Sequence, residues 1–252
     1  MAYEIIVQAY GWEQGWANIV KMCGNTRNFS RAAAEVPKDT AMGEIACGTA
    51  IDVYGWRQVA EVGTSRMGFR LPEGVTVINP DGIGVLKGAP NREVAEKFVE
   101  FVMSEAGQKL WMLKKGAPGG PKQFELDRMP VIPGLAARFG DQAAIPYDPY
   151  EWKSGFTYDP DKGSLRWNIL NDLLGAVLID THAELAPAWK AVKGLPPDNE
   201  LVRELLKPPV SEEELLKMAA GQWNDAEFCA RTRARWANEA KLRYERIAGV
   251  AQ

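Results

Sequence analysis

Few residues in this chain of 252 have the types and spacing that chemistry needs, and Asp52 and Tyr54 in "TAIDVYGW" are the foremost. The segment reads as a short buried strand from Thr49 to Val53 and onward to Trp56. Period-two geometry would then put Asp52 and Tyr54 on one face. A phenolic oxygen can hydrogen-bond a ligand, or bind a hard trivalent cation as phenolate because the ion lowers its pKa. An Asp–Tyr pair would suit a cation or an amine-bearing solute. The alternative is a strand tyrosine whose hydroxyl is satisfied by backbone, with Asp52 forming a strand-end turn.

A second group lies in "NTRNFSRAA". Asn28, Ser30 and Arg31 offer donors suited to an anion such as carboxylate, phosphate or carbonate; otherwise this is a polar surface loop. Trp12, Trp16 and Trp56 either line an aromatic wall for a flat or cationic ligand or pack in a core. His182 is the only histidine. Asp180 and Glu184 flank it, but residues two apart on a helix do not share a face, so the three cannot converge on a metal. One histidine also excludes multi-histidine zinc sites. Cys23, Cys47 and Cys229 show no CxxC spacing; they read as three apolar thiols, with a Cys23–Cys47 pair open in an oxidising compartment. No P-loop, GxSxG or Rossmann fingerprint appears. An enzyme would have to draw its acid–base groups from Asp52, Tyr54 or His182.

The elements that position these residues alternate between helix and extended chain. Apolar side chains recur at helical spacing from about Tyr3 to Met22, and "CGN" stops them. "PKDTAMGEIACG" reads as a helix opened by Pro37. "GFRLPEGVTVINPDGIGVL" reads as two strand-like runs, 67–71 and 75–78, the second continuing to Leu86. Asn91 then caps an amphipathic helix carrying Val94, Phe98, Phe101 and Val102 on one face. Ser104 ends that helix or caps the next, and "KKGAPGGP" stops the pair. From Pro118 to Gly163 the chain is rich in Pro, Gly and aromatics, and reads as a meandering arm. The rest is helical, with Ser211 and Glu214 forming a capping box. The last helix has a basic outer face of the solvated kind. The net charge of −3 gives no reason to expect nucleic acid or an anionic membrane as partner. No apolar run reaches the roughly 18 residues of a membrane span. The start "MAYEIIVQAYGW" lacks signal-peptide features, which read literally points to the cytoplasm.

The order of "GEIACGTAIDVYGWRQVAEVG", "LPEGVTVINPDGIGVLKGAPNREVAEKFVEFVMSEAGQKLW" and "GGP" resembles the second half of a family 1 extracellular solute-binding protein of a bacterial ABC importer, of the ferric-iron-type group. The matching features are Gly43–Glu44–Ile45, Tyr54, the stretch from Val75 to Leu86, and the helix that ends in Gly107–Gln108. The resemblance implies an α/β chain: a helix-rich, incomplete two-lobed periplasmic-binding-protein type II fold. Residues 1–75 would be a remnant of the second ligand-binding lobe. Residues 76–252 would be the C-terminal part of the first lobe with a helical tail, the hinge crossing near "VINPDGIGV". It further implies a periplasmic, non-enzymatic, truncated transport component with half a cleft. That half would hold its solute through Tyr54, Asp52, Ser30, Arg31 and Asn28, and an ABC permease would be its partner. No resident cofactor is implied; ferric iron would be cargo, with Tyr54 as its ligand. The iron-binding group usually carries two adjacent tyrosines, whereas here Tyr54 is followed by Gly55, which moves the expectation toward a small organic or anionic solute. Strands that lack neighbours imply self-association or association with a missing N-terminal half. The alternative class is a helical interaction protein that has lost ligand binding.

Overall fold

The computed structural model describes residues 2–145 and 147–250. Twelve α-helices run through them. The chain divides into two compact units, Met1–Phe29 with Gly155–Gln252, and Ser30–Ser154.

The first unit is a helical assembly that joins both ends of the chain. Its N-terminal part is α1 (Ala2–Tyr10) and α2 (Trp12–Gly24), separated by Gly11 at φ 77, a left-handed conformation that glycine adopts without strain. Its C-terminal part is α8 (Pro160–Leu174), α9 (His182–Val192), α10 (Glu200–Leu206), α11 (Glu212–Gly221) and α12 (Ala226–Val250). A π-helical turn over Gly175–Ile179 follows α8. Helix α2 packs on α1 and α9, and α12 packs on α9. The reason is sequence period. Trp16, Ile19, Val20 and Cys23 fall on one side of α2 and are buried with Ile169, Leu173, Leu185, Trp236 and Tyr244. The capping box of Ser211 and Glu214 forms as the sequence indicates. Gly15 allows α1 and α2 to touch, since a Cβ there would lie 2.6 Å from the Val7 Cα.

The second unit holds α3 (Glu35–Met42), α4 (Asp52–Val62), α5 (Arg92–Met103), α6 (Glu105–Met112) and α7 (Leu135–Phe139). Its fully packed core is small: Met112, Leu113, Leu135, Ala136 and Ala143. Ser104 ends α5 and caps α6, its hydroxyl accepting from the Gly107 N–H at 3.2 Å.

The α/β expectation is corrected here. No strand forms among the described residues; the sole pairing is an isolated antiparallel bridge between Leu113 and Ala143. The expected strand at 49–53 gives way to α4. Alternation held only over a few residues. Once Val59 is included, Val53, Trp56 and Val59 recur every third residue, and Asp52 supplies the acidic first turn that a helix N-terminus favours. The runs 67–71 and 75–86 are not strands either. Proline at 72 and 80 and glycine at 74, 82 and 84 interrupt them, and a strand gains nothing without a neighbour to pair with.

Candidate functional site

Helix α4 carries the sequence-derived candidates, and its geometry sorts them. Two residues on a helix are about 160° apart in projection, so Asp52 and Tyr54 face different ways. Asp52 is half-buried on the side of Trp56 and Val59. Tyr54 is 39% exposed and shares the outer face with Arg57, Gln58 and Glu61. The expectation of one shared strand face is therefore corrected. The alternative of a backbone-satisfied hydroxyl does not hold either: among the described residues, no partner is found for the Tyr54 oxygen. Ser30 and Arg31 fold locally before α3. The Ser30 hydroxyl donates to the Ala32 carbonyl at 3.3 Å, and the Arg31 N–H donates to Glu35 Oε2 at 3.0 Å. Both are exposed, as is the polar loop they form. Asn28 belongs to the other unit. Within the second unit, no hydrogen bond or ion pair among the described residues joins Ser30 or Arg31 to Asp52 or Tyr54.

The outer face of α4 has a neighbour that sequence reading missed. Asp127 is 92% buried by area, being 8% exposed, and adopts φ 51, unusual for a residue other than glycine. Burial pushes its carboxyl pKa up; Glu125 and Glu61 add to the rise and Arg57 opposes it. The phenol of Tyr54, the guanidinium of Arg57 and the carboxylate of Glu61 thus share a helix face that lies within electrostatic reach of a buried acid.

Gly55 explains why no second tyrosine follows Tyr54. A Cβ at that position would sit 2.3 Å from the Phe69 ring. Phe69 is in turn edge-on to Trp56 at 5.0 Å, and Trp56 meets Tyr147 at 5.4 Å, with Trp152 at 6.0 Å beyond. The space a second phenol would need is filled by this aromatic chain. A concavity of about 430 Å³ opens beside Tyr147, lined also by Lys114, Asp141, Asp148 and Glu151. The signal for it in the sequence is the density of acids and aromatics in "PYDPYEW".

The other candidates are structural. Trp12 donates its Nε1–H to the Val210 carbonyl at 2.9 Å and stands 6.1 Å from Trp16, so both belong to the core of the first unit and only Trp56 joins an aromatic cluster in the second. His182 lies 3.2 Å from the Cys23 carbonyl and edge-on to Phe29. No group of three metal-ligating side chains occurs among the described residues. All three cysteines are free: Cys23 is buried, Cys229 half-buried and Cys47 exposed.

The segment ending in Gly107–Gln108 is also packing rather than chemistry. A Cβ on Gly107 would lie 2.1 Å from the Phe101 carbonyl oxygen. Gln108 is buried, donates to the Val102 carbonyl and accepts from the Val131 N–H, each at 2.8 Å. Together they lock the corner between α5 and α6.

Residues 4–128 match the family of bacterial extracellular solute-binding proteins. Over that span, just under half of the chain, the sequence is similar to this family. The solute-binding stretch takes in α1, α2 and most of the second unit. Within the chain, 90 residues are 32% identical to Iron uptake protein A2 of Synechocystis sp.. They make up 36% of this chain and 23% of that protein, so the chain matches less than a quarter of this relative's length. No solved structure matches at a significant level. Among the described residues, no helix is long and apolar enough to cross a membrane.

Proposed function

We propose that the chain is a solute-binding component of an ABC uptake system, working in the periplasm and delivering iron or another small solute to a permease. The observation that carries this reading is the solute-binding family match over residues 4–128. The similarity to a protein named for iron uptake supports iron as one cargo. The geometry at Gly55 weighs toward a different one: a single phenol is a poor cage for a ferric ion, and Phe69 leaves no room for a second. We therefore favour a small organic or anionic solute held with the help of Tyr54, whose hydroxyl is exposed and unpartnered. Asp52, Ser30, Arg31 and Asn28 are retained as further ligand residues in this proposal. So is the assignment of residues 1–75 to the second ligand-binding lobe and 76–252 to the first lobe with its helical tail.

Thermal melting in the presence of ferric citrate, small carboxylates, phosphate and amines tests the reading. A solute at 100 times its Kd adds about 2.7 kcal/mol to the stability of the folded state. Tyr54→Phe should then weaken that solute's binding by roughly 0.5–1.5 kcal/mol, or by far more if the phenol binds metal. The absence of any shift with millimolar solutes would remove solute binding. The second reading is a helical interaction protein without ligand, favoured by the uncovered apolar side of α5.

A further inference from the structure

The segment between Pro121 and Pro130 buries the wrong kind of side chain. Phe124 is 73% and Leu126 41% exposed, whereas Asp127 is 8% exposed and is the one buried residue between the two prolines. Burying a carboxyl while two apolar side chains stay in water is costly unless the acid has a partner. None is provided: among the described residues, no hydrogen bond or ion pair reaches the Asp127 carboxyl. The charged groups that face it are Glu125 on its own segment, and Arg57 and Glu61 on α4. Arg57 is shared, since its Nε donates to Glu61 Oε1 at 3.4 Å. Arg128, next in sequence, pairs with Asp81 at 3.3 Å. Two carboxylates and one divided cation thus surround a buried acid, and all of them lie in the second unit.

We propose that Asp127 is an acid-closed latch: protonated, it holds segment 122–131 against the outer face of α4, and ionised, it loosens that hold. The segment is tied down on either side of it. Before Asp127, the Lys115 N–H donates to Glu125 Oε1 at 2.8 Å. After it, the Arg128 N–H donates to the Trp111 carbonyl at 3.2 Å, and the Val131 N–H to Gln108 Oε1 at 2.8 Å. A change of charge at Asp127 therefore acts on the middle of a segment whose ends are held.

The direction follows from the surroundings. Burial disfavours the charged form and pushes the Asp127 pKa up; the Glu125 and Glu61 charges add to the rise and Arg57 opposes it. With the folded value above the unfolded one of about 3.9, the closed segment keeps a proton that the open segment has lost. The latch is at full strength below about pH 3.9, and its contribution is lost as pH rises through the folded value. Between the two values the opening constant rises by up to about tenfold per pH unit, the limit for one proton, and beyond the folded value it levels. The latch stands beside the α4 face that carries Tyr54, but the inference does not rest on solute binding and survives its failure.

Hydrogen–deuterium exchange of the whole chain from pH 3.5 to 7.5, corrected for the intrinsic exchange rate, tests it. Peptides of α2 and α9 report global unfolding; peptides covering Arg128 and Val131, whose N–H groups are hydrogen-bonded, report the latch. The latter should lose protection as pH rises, by no more than about tenfold per unit, and then level while the reference peptides stay protected. Asp127→Asn should abolish that dependence and keep the segment protected at pH 7.5, since asparagine also tolerates the φ 51 backbone and carries no charge. Two substitutions of side chains more than half exposed move the window without touching the buried residue. Arg57→Gln should shift it to higher pH and Glu61→Gln to lower pH, and both read the latch even where Asp127→Asn fails to fold. A wild-type segment whose protection is flat in pH, a dependence that survives in Asp127→Asn, or an Arg57→Gln window that stays in place or moves to lower pH would each overturn the proposal.

Discussion

Arg166 is a fully buried cation in the first unit. It is 0% exposed, and its Nε donates to both oxygens of Glu4, at 3.0 and 2.8 Å; Glu4 itself is 2% exposed. One terminal nitrogen pairs with Glu212, and the guanidinium lies 5.7 Å from the Trp12 ring centre. The contacts tie α8 to α1 and α11, helices more than 150 residues apart in part. Replacing Arg166 with Met keeps the apolar stem but leaves the Glu4 carboxylate buried, with Gln8 at 2.6 Å as its remaining donor. Stripping one partner from a buried pair costs about 3–5 kcal/mol, because the other charge stays desolvated. At roughly 2–4 °C per kcal/mol the melting temperature should drop by roughly 6–20 °C. A second substitution separates this cause from lost packing. Glu4→Leu combined with Arg166→Met removes both charges, and should recover about 1–3 kcal/mol relative to the sum of the single changes. Denaturant unfolding of the four proteins, followed by circular dichroism, provides the measurement. An Arg166→Met loss below about 1 kcal/mol, or strict additivity in the double variant, would refute the account of a charge pair made interdependent by burial.

Three further outcomes follow from single sites. Gly107→Ala should destabilise the second unit by about 1–3 kcal/mol, since the new methyl meets the Phe101 carbonyl with no room to shift; an unchanged melting curve would contradict the packing account. Burial acts to raise the Glu212 carboxyl pKa, but hydrogen bonds from Lys162 and Arg166 outweigh it and hold the pKa below the usual value. A depressed carboxylate adds stability above its unfolded pKa of about 4.3, and that stability is lost as pH falls through the folded value, so Glu212→Gln should flatten the acid limb of stability below about pH 4.5. Burial, partly offset by a hydrogen bond with Tyr3, pushes the Cys23 thiol up to about 11, while Cys47 is exposed. A thiol reagent at pH 8 should label Cys47 rapidly and Cys23 only on unfolding, and fast labelling of both would refute this placement.

The helices were legible wherever a long apolar period met a recognisable cap. Ser104, Ser211 with Glu214, and the stop after Cys23 all stand where their chemistry puts them. Extended chain was not legible as sheet, because a strand's existence depends on a neighbour that no local pattern encodes. The run from Val75 to Leu86 has β-branched residues but no ladder. The stretch at 49–56 was ambiguous for a related reason: over a few apolar residues, periods of two and of three and a half cannot be told apart. The site suffered in turn. Asp52 and Tyr54 were joined by an assumed strand period and are separated by the real helical one. Arg166 and Asp127 gave no local signal at all, since their importance comes from burial against residues distant in sequence.

The residues that carry the resemblance to solute-binding proteins divide into two physical kinds, and the division guides where chemistry should be sought. Gly107 is required because a carbonyl occupies the place of its Cβ, and Gln108 because its amide ties the Val102 carbonyl of α5 to the Val131 N–H of the segment before α7. Their roles belong to local packing and would be the same whatever the solute. They report fold and are silent about function. Tyr54 is of the other kind. No backbone group needs its hydroxyl, and no packing holds its ring in a core. Gly55 beside it is again structural, fixed by the Phe69 ring. A departure from a paired-tyrosine site can therefore arise from packing in the supporting layer. Phe69→Ala together with Gly55→Tyr would reopen the space for a second phenol. If solute identity is set by phenol number, two phenols about 100° apart on neighbouring faces of α4 should converge on one ion and the double variant should gain ferric-ion affinity, seen as a phenolate-to-iron absorption band in the visible region. No band with a folded variant would show that the face of α4 does not reach a common ligand.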